Sequence, residues 1–318
     1  WSENVDNVTM DAFQRVNLTD VTDNDGDGIS IYICEPQNRL FGQDSNETCG
    51  SEALNALFTG LYSLDASGEI TFDGVAENIE TTDDGTNWTI TLKDGWTFHD
   101  GTPVTASSFV DAWTWGATGA NAAQNAYFFS IPKFVGYDAL NPPDEDEDGE
   151  PDTAPAEEFE GVVAADDLTI EIALDGPFAQ LPLVLAYDAF NPLPESFYDD
   201  PDAFGEAPVG NGPFMMDPDV NGGEWEHDVQ IATVAYPDYA GDAPSIESVV
   251  YQIFSEIDVA YAEAQANNLD IVDAIPEANL GTFTDDFGDR WLEEQTSSFN
   301  YLGFPIDLEL VAEWHAEG

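Results

Sequence analysis

The sequence predicts a mixed α/β protein. Three observations carry this expectation. Short runs alternate apolar and polar residues, other runs repeat apolar residues at i, i+3, i+4 and i+7, and the two kinds interleave along the chain. The chain has 318 residues, of which 42% are hydrophobic and 12% aromatic, so a substantial core is affordable despite heavy charge. At about 150 residues per domain the length corresponds to roughly two domains.

Residues 1–28 are polar, lack periodicity and end in DNDGDG, which reads as a flexible tether. Ile29, Ile31 and Ile33 then alternate with Ser30 and Tyr32 as a short strand. After a polar loop, Leu54, Leu57, Phe58 and Leu61 form a helical stripe. From Ile70 to Phe98 the period changes to two, with Trp88, Ile90 and Leu92 on one face and turns at DDG and DG, which are hairpin signals. Thr105 is placed to cap a second helix carrying Phe109, Ala112 and Trp113. The proline-rich acidic run within 138–159 is expected to be a surface insertion. Leu168, Ile170, Ile172 and Leu174 alternate as a strand, and PVGNGPF at 208–214 is a tight glycine turn. Val249 to Phe254 reads as a buried strand and Ile257 to Asn267 as a helix.

Five Lys+Arg against 65 Asp+Glu give a formal net charge of −60. Arg15, Arg39, Lys93, Lys133 and Arg290 are too scattered to form a basic groove, which excludes nucleic acid as a partner and argues against an anionic membrane surface. So few lysines favour adaptation to salt, a halophilic character, over acidity for solubility alone. No apolar run approaches the ~18 to 20 residues that span a bilayer. The chain opens with Trp1 and carries no basic segment followed by an apolar stretch, so any secretory signal has been removed or lies outside this sequence.

Cys34 and Cys49 are the two cysteines. They read better as a disulfide in an oxidising, extracytoplasmic compartment than as thiols of a metal site, because His99, His227 and His315 lie far away in sequence. The histidines read as surface or loop residues. Asn-x-Thr sequons at Asn7, Asn17, Asn46 and Asn87 lend weak support to a secreted surface protein.

Residues 60–113 read GLYSLDASGEITFDGVAENIETTDDGTNWTITLKDGWTFHDGTPVTASSFVDAW. This block resembles the extracellular solute-binding proteins of ABC transporters, in the large peptide/nickel-type family, and particularly its actinobacterial-like oligopeptide-binding members. Ser108 stands where Asp is common. The likeness continues through VVAADDLTIEIAL, FNPLPESF, PVGNGPF, VVYQIF, NNLDIVDAIP and YLGFP, and so covers roughly residues 29 to 305.

The resemblance implies a periplasmic-binding-protein-like two-lobe fold of type II with an appended domain, its second lobe incomplete here. It places the first lobe at 29–48 and 175–254, the appended domain at 49–174 and the start of the second lobe at 255–318. It implies an extracytoplasmic protein, on the cell surface or in the periplasm, tethered to the membrane through a segment preceding Trp1. Such a protein captures oligopeptides as a monomer and delivers them to an ABC permease, without catalysis and without a required cofactor. Nickel, haem or a sugar are the alternative solutes of the same family.

By position in the family, Asn46, Glu47 and Thr48 match a first-lobe segment that lies along the bound peptide; an ordinary polar loop is the equal alternative. Tyr127 falls near a ligand-facing aromatic, Asn211 and Gly212 form a turn approaching the cleft, and Tyr251 and Phe254 sit at the lobe crossover, where plain core is the competing reading. A separate class of function, a calcium-dependent surface or adhesion protein, is motivated by two DxDxDG runs. Asp23, Asp25 and Asp27, and Asp144, Asp146 and Asp148 with Asp152, space carboxylates as calcium loops do, but the twelfth positions hold Cys34 and Pro155 instead of Glu. They predict weak calcium binding at most. No nucleophile, zinc-protease or P-loop motif is present, so no catalytic residue is named.

Overall fold

A computed structural model describes residues 28–65, 68–81, 84–143 and 153–291. Two four-stranded sheets organise the chain. The first contains β1 (Ile29–Ile33), β8 (Phe214–Met216), β9 (Gln230–Ala235) and β10 (Ser248–Ile253), in the order β1-β10-β9-β8. The second contains β4 (Ala76–Thr81), β5 (Asn87–Leu92), β6 (Val162–Asp166) and β7 (Thr169–Ala173), in the order β4-β5-β7-β6. A small ribbon, β2 (Ser63–Leu64) with β3 (Ile70–Thr71), stands apart. The helices are α1 (Thr48–Leu57), α2 (Ala106–Ala117), α3 (Tyr127–Ser130), α4 (Tyr137–Leu140), α5 (Leu181–Leu185), α6 (Pro201–Glu206), α7 (Ile257–Gln265) and α8 (Phe283–Phe287).

The alternation in β1 does what its period requires. Ile29, Ile31 and Ile33 are buried while Ser30 and Tyr32 are only half-buried. β1 pairs in parallel with β10, Ile31 opposite Tyr251, so the first strand joins a partner more than two hundred residues away. The rest of this sheet is antiparallel. The second sheet is antiparallel throughout, with Trp88 opposite Ile172 and Ile90 opposite Ile170, and these four residues are buried on one face.

α2 packs on β6 and β7, burying Phe109, Ala112 and Trp113. Thr105 is its N-cap, and the Thr105 N–H donates to Ser108 Oγ at 3.1 Å, so the serine found in place of the common Asp still satisfies a cap donor. One continuous apolar core runs through both sheets. Its cross-link is aromatic: Trp113 lies edge-on to Phe190 and donates from Nε1 to the Phe190 carbonyl at 2.9 Å, while Phe41 meets Trp115, Phe197 and Phe204.

Downstream of β10, α7 forms a satellite cluster in which Ala260, Ala264 and Leu269 pack with Tyr32, Phe254 and Val272. The chain then returns to the free edge of β1. Ile271 forms a parallel bridge with Ile31, the Tyr32 N–H donates to the Ile271 carbonyl at 2.9 Å, and Asp270 accepts from Ser30 N and Oγ at 2.8 and 2.7 Å. Among the described residues no helix is long and apolar enough to cross a membrane.

Candidate functional site at the carboxyl ends of β1 and β10

The two parallel strands end side by side, and ligands of open α/β sheets collect beyond such carboxyl ends. Cys34, one residue past β1, is disulfide-bonded to Cys49 in the first turn of α1, with Cα atoms 5.5 Å apart. Closing 15 residues in this way stabilises the fold by about 3 kcal/mol in the chain-entropy account.

The loop between them is ordered by its own side chains. Glu47 is the N-cap of α1, accepting from Cys49 N at 2.8 Å and Gly50 N at 2.9 Å, with a longer bond from Gln37 N. Asn46 is exposed and accepts from Asn38 Nδ2, and Thr48 is the exposed first residue of α1. On the inner side Asn125 Nδ2 donates to the carbonyls of Gly42 and Ser45, both at 2.8 Å. Buried Asp44 accepts from Arg39 Nε at 2.8 Å, and Arg39 also reaches Asp202 and lies over the rings of Phe41 and Trp115. The loop is therefore built into the core at one edge and open at the other.

Tyr251 is only 3% exposed. Burial and the nearby Glu52 charge raise its pKa above the ordinary tyrosine value. Glu52, one turn into α1, is pushed up to about 8, first by burial, then by Asp273 and Glu47. Asp273 is itself raised by burial, and Tyr32 is raised by burial, Asp273, Glu52 and Glu256. Phe254 lines a cavity of about 240 Å³ with Glu35, Asp228, Ile253, Ser255 and Val259.

The glycine turn is fixed rather than free. Asn211 is buried, donating to the Thr59 carbonyl at 2.8 Å and accepting from Thr59 N at 3.0 Å, while the Gly212 N–H donates to the Leu57 carbonyl. His99 holds the same turn through Gly210 N to Nδ1 and Nε2 to the Gly212 carbonyl, both 3.1 Å. That pattern needs a neutral ring protonated at Nε2, and burial lowers its pKa to about 4. Tyr127 is 52% exposed and stacks on Phe128, which stacks on Tyr187 at 4.1 Å between ring centroids.

The structure thus gathers Glu47, Thr48 and Tyr251 around the ends of β1 and β10, puts Phe254 beside them in its cavity, and sets Asn211 and Gly212 into the α1 carboxyl end. Tyr127 is linked to the loop through Asn125, two residues earlier. Sequence reasoning passed over Glu52 and Asp273, took Arg39 only as one of the scattered cations, and read His99 as a surface or loop residue, whereas its ring is held between two glycines. The signal for Glu52 was its position three residues after Cys49, which puts it near the bridged face of α1. The aspartates Asp23, Asp25, Asp27, Asp144, Asp146, Asp148 and Asp152, and His315, lie outside the described residues.

The remaining histidine is a separate device. His227 lies 2.8 Å from Glu35 through Nδ1 and 2.8 Å from Glu206 through Nε2, and stacks on Trp225. The hydrogen bond to Glu35, then that to Glu206, raises its pKa. A raised folded pKa contributes stability that is fully present below the unfolded value near 6.5 and is lost as pH rises through the folded value. His227→Gln should therefore lower the melting temperature more at pH 5.5 than at pH 9. An equal effect at both pH values would show that charge plays no part.

The model of the bacterial extracellular solute-binding proteins, family 5, matches residues 73–312. The probable D,D-dipeptide-binding periplasmic protein DdpA of Escherichia coli (strain K12) is 29% identical over 227 residues, 69% of this chain and 36% of that protein. The oligopeptide-binding protein OppA of Bacillus subtilis (strain 168) is 37% identical over 83 residues, 26% of this chain and 15% of that one. Among solved structures, the Escherichia coli murein tripeptide binding protein MppA superposes with a TM-score of 0.71 at 22% identity, covering 83% of this chain and 49% of that one. Haemophilus influenzae OppA in complex with RPPGFSPFR gives a TM-score of 0.69 at 24% identity, with the same coverage of both. The chain spans about half the length of these solved proteins. The likeness establishes the fold as that of the OppA-type periplasmic binding proteins.

Proposed function

This chain belongs to the bacterial extracellular solute-binding proteins, family 5, and from that premise we propose that it captures oligopeptides outside the cytoplasm for an ABC importer. The family match over residues 73–312 is the observation that carries this reading. The geometry supports it: a loop fixed on its inner side, with Asn46 and Thr48 exposed, offers an extended peptide a backbone edge, and the aromatic stack ending at Tyr127 offers an apolar face. The protein acts as a monomer, held at the cell surface or in the periplasm beside its permease, with no catalytic step and no required cofactor.

We divide the chain into a first lobe at 29–48 and 175–254, an appended domain at 49–174 and a second lobe beyond. The docking of α7 and Ile271 on the β1 edge favours starting that second lobe after Val272 rather than at Ser255. Titration calorimetry of tri- to octapeptides against the native gene product, with mass spectrometry of co-purified ligand, tests the function. Binding of several peptides of differing side chains is expected. A co-purified sugar, haem or nickel, with no peptide bound, would move the solute class.

A further inference from the structure

Three stretches of chain far apart in sequence meet at one imidazole. His227 Nδ1 lies 2.8 Å from Glu35, one residue past Cys34, and Nε2 lies 2.8 Å from Glu206, the last residue of α6. A carboxylate only accepts hydrogen bonds, so the two contacts together need a proton on each ring nitrogen, which is the charged imidazolium. The ring also stacks on buried Trp225 at 3.9 Å between centroids, and an aromatic face favours the same charged form. The backbone that presents the ring is fixed. Val229 and Gln230 donate from their N–H groups to the Glu226 carbonyl at 3.0 and 2.9 Å, and the Asp228 N–H donates to the second oxygen of Glu35 at 2.9 Å.

Glu35 opens the 35–48 loop, and Glu206 ends the helix on which that loop rests: the Leu40 N–H donates to the Gly205 carbonyl at 3.3 Å, and Arg39 reaches Asp202 at 2.7 Å. We propose that His227 is a pH-operated latch, which joins the start of the 35–48 loop to the end of α6 while the ring is charged and releases that join when the ring becomes neutral. A neutral imidazole has one N–H and one bare lone pair, so it can donate to one carboxylate and must turn a lone pair towards the other. Glu35 is the partner retained, because the Asp228 N–H goes on holding it, and Glu206 is the partner released. The inference goes beyond peptide capture and does not require it, since no ligand takes part.

The charged groups about the ring are Glu35 after β1, Glu206 from α6, and Glu226 and Asp228 from its own turn, where Glu226 is engaged by Gln230 Nε2 at 3.1 Å. All are acidic and favour the charged ring. The hydrogen bond to Glu35 raises the ring's pKa most, and that to Glu206 adds to it against partial burial. The latch is therefore shut below the ordinary value near 6.5 and opens as pH rises through the higher folded value. It works by contact: at molar salt the screening length is still about 3 Å, so a pair in hydrogen-bond contact keeps part of its attraction.

The experiment is hydrogen–deuterium exchange of the native gene product in molar NaCl, corrected for the intrinsic pH dependence of amide exchange. Fragments covering 35–48 and 201–207 are followed by mass spectrometry, with 87–92 in β5 as a distant control, beside His227→Gln and Glu206→Gln. Protection of the first two fragments should fall by about threefold from pH 5.5 to pH 9, the size expected of a contact between half-exposed charges, while the control stays level. His227→Gln should show the lower protection at both pH values. Glu206→Gln, whose amide can accept from the charged ring and donate to the neutral one, should keep the protection and lose its pH dependence. Ring nitrogen NMR, with the His227 signal assigned by its loss in His227→Gln, should show two protons on the ring at pH 5.5 and one at pH 9. Parent protection independent of pH, a pH dependence that survives His227→Gln, or a fall shared equally by the control fragment overturns the latch.

Discussion

Raising NaCl from 0.05 to 2 M should lift the melting temperature of this chain by at least about 10 °C. For a protein of this size 1 kcal/mol corresponds to roughly 2 °C, so the shift represents about 5 kcal/mol of relieved repulsion. The cause is the formal charge of −60, which the compact state concentrates and the unfolded chain spreads out. Internal compensation is slight. Among the described residues Arg39 is the Lys or Arg that pairs with carboxylates, one of them the highly exposed Asp202, and Lys93 is committed to backbone carbonyls. Mobile cations must do the rest. The screening length falls from about 10 Å at 0.1 M to about 3 Å at 1 M, below the spacing of most surface carboxylates. A melting temperature flat across the range would refute the argument, and potassium chloride should serve as well as sodium chloride if screening is the mechanism.

Gly210→Ala and Asn211→Ala should each lower stability by about 3 kcal/mol, read as a shift in the urea midpoint with an unchanged slope. A Cβ at position 210 would collide with the carbonyl of Leu57, which is backbone and cannot swing aside. The collision pushes the turn off the end of α1 and strains the hydrogen bonds that His99 makes to Gly210 N and the Gly212 carbonyl. At 211 the loss is of another kind. Asn is the residue that both donates to the Thr59 carbonyl and accepts from its N–H, so alanine leaves two buried backbone groups without partners. Asn211→Asp should be at least as harmful, since a carboxylate cannot donate to that carbonyl. Changes below 0.5 kcal/mol in both alanine variants would mean that the turn is free to move.

Much of this was legible in advance because it depends on short-range rules. The period-two runs at Ile29–Ile33 and Asn87–Leu92 could only bury one face as strands, and each does. The stripe of Phe109, Ala112 and Trp113 could only be a helix face, and Thr105 could only precede it as a cap. The motif block of residues 60–113 pointed to the solute-binding family, and the even cysteine count with one short loop pointed to the Cys34–Cys49 bridge.

The roles of individual residues were not legible, because they depend on partners far away in sequence. Glu47 has the composition of a ligand-loop residue, yet its carboxylate is turned back onto the first turn of α1. Asn211 sits in a glycine turn that the resemblance assigned to the cleft, and Thr59, brought alongside by α1, uses up its amide. His99 and His227 are equally isolated in sequence, and one ends as a neutral clamp between two glycines while the other lies between two carboxylates. Composition alone determined that this protein is acidic, starved of cations and rich enough in apolar residues to fold, and local periodicity determined which segments are strands and helices. Only the tertiary structure decided that Glu52 is an acid that resists ionising. The reason is that a carboxylate's state is set by the charges and the depth that long-range pairing puts around it, and the neighbours of Glu52 come from β1, β10 and residue 273, which no local pattern brings together.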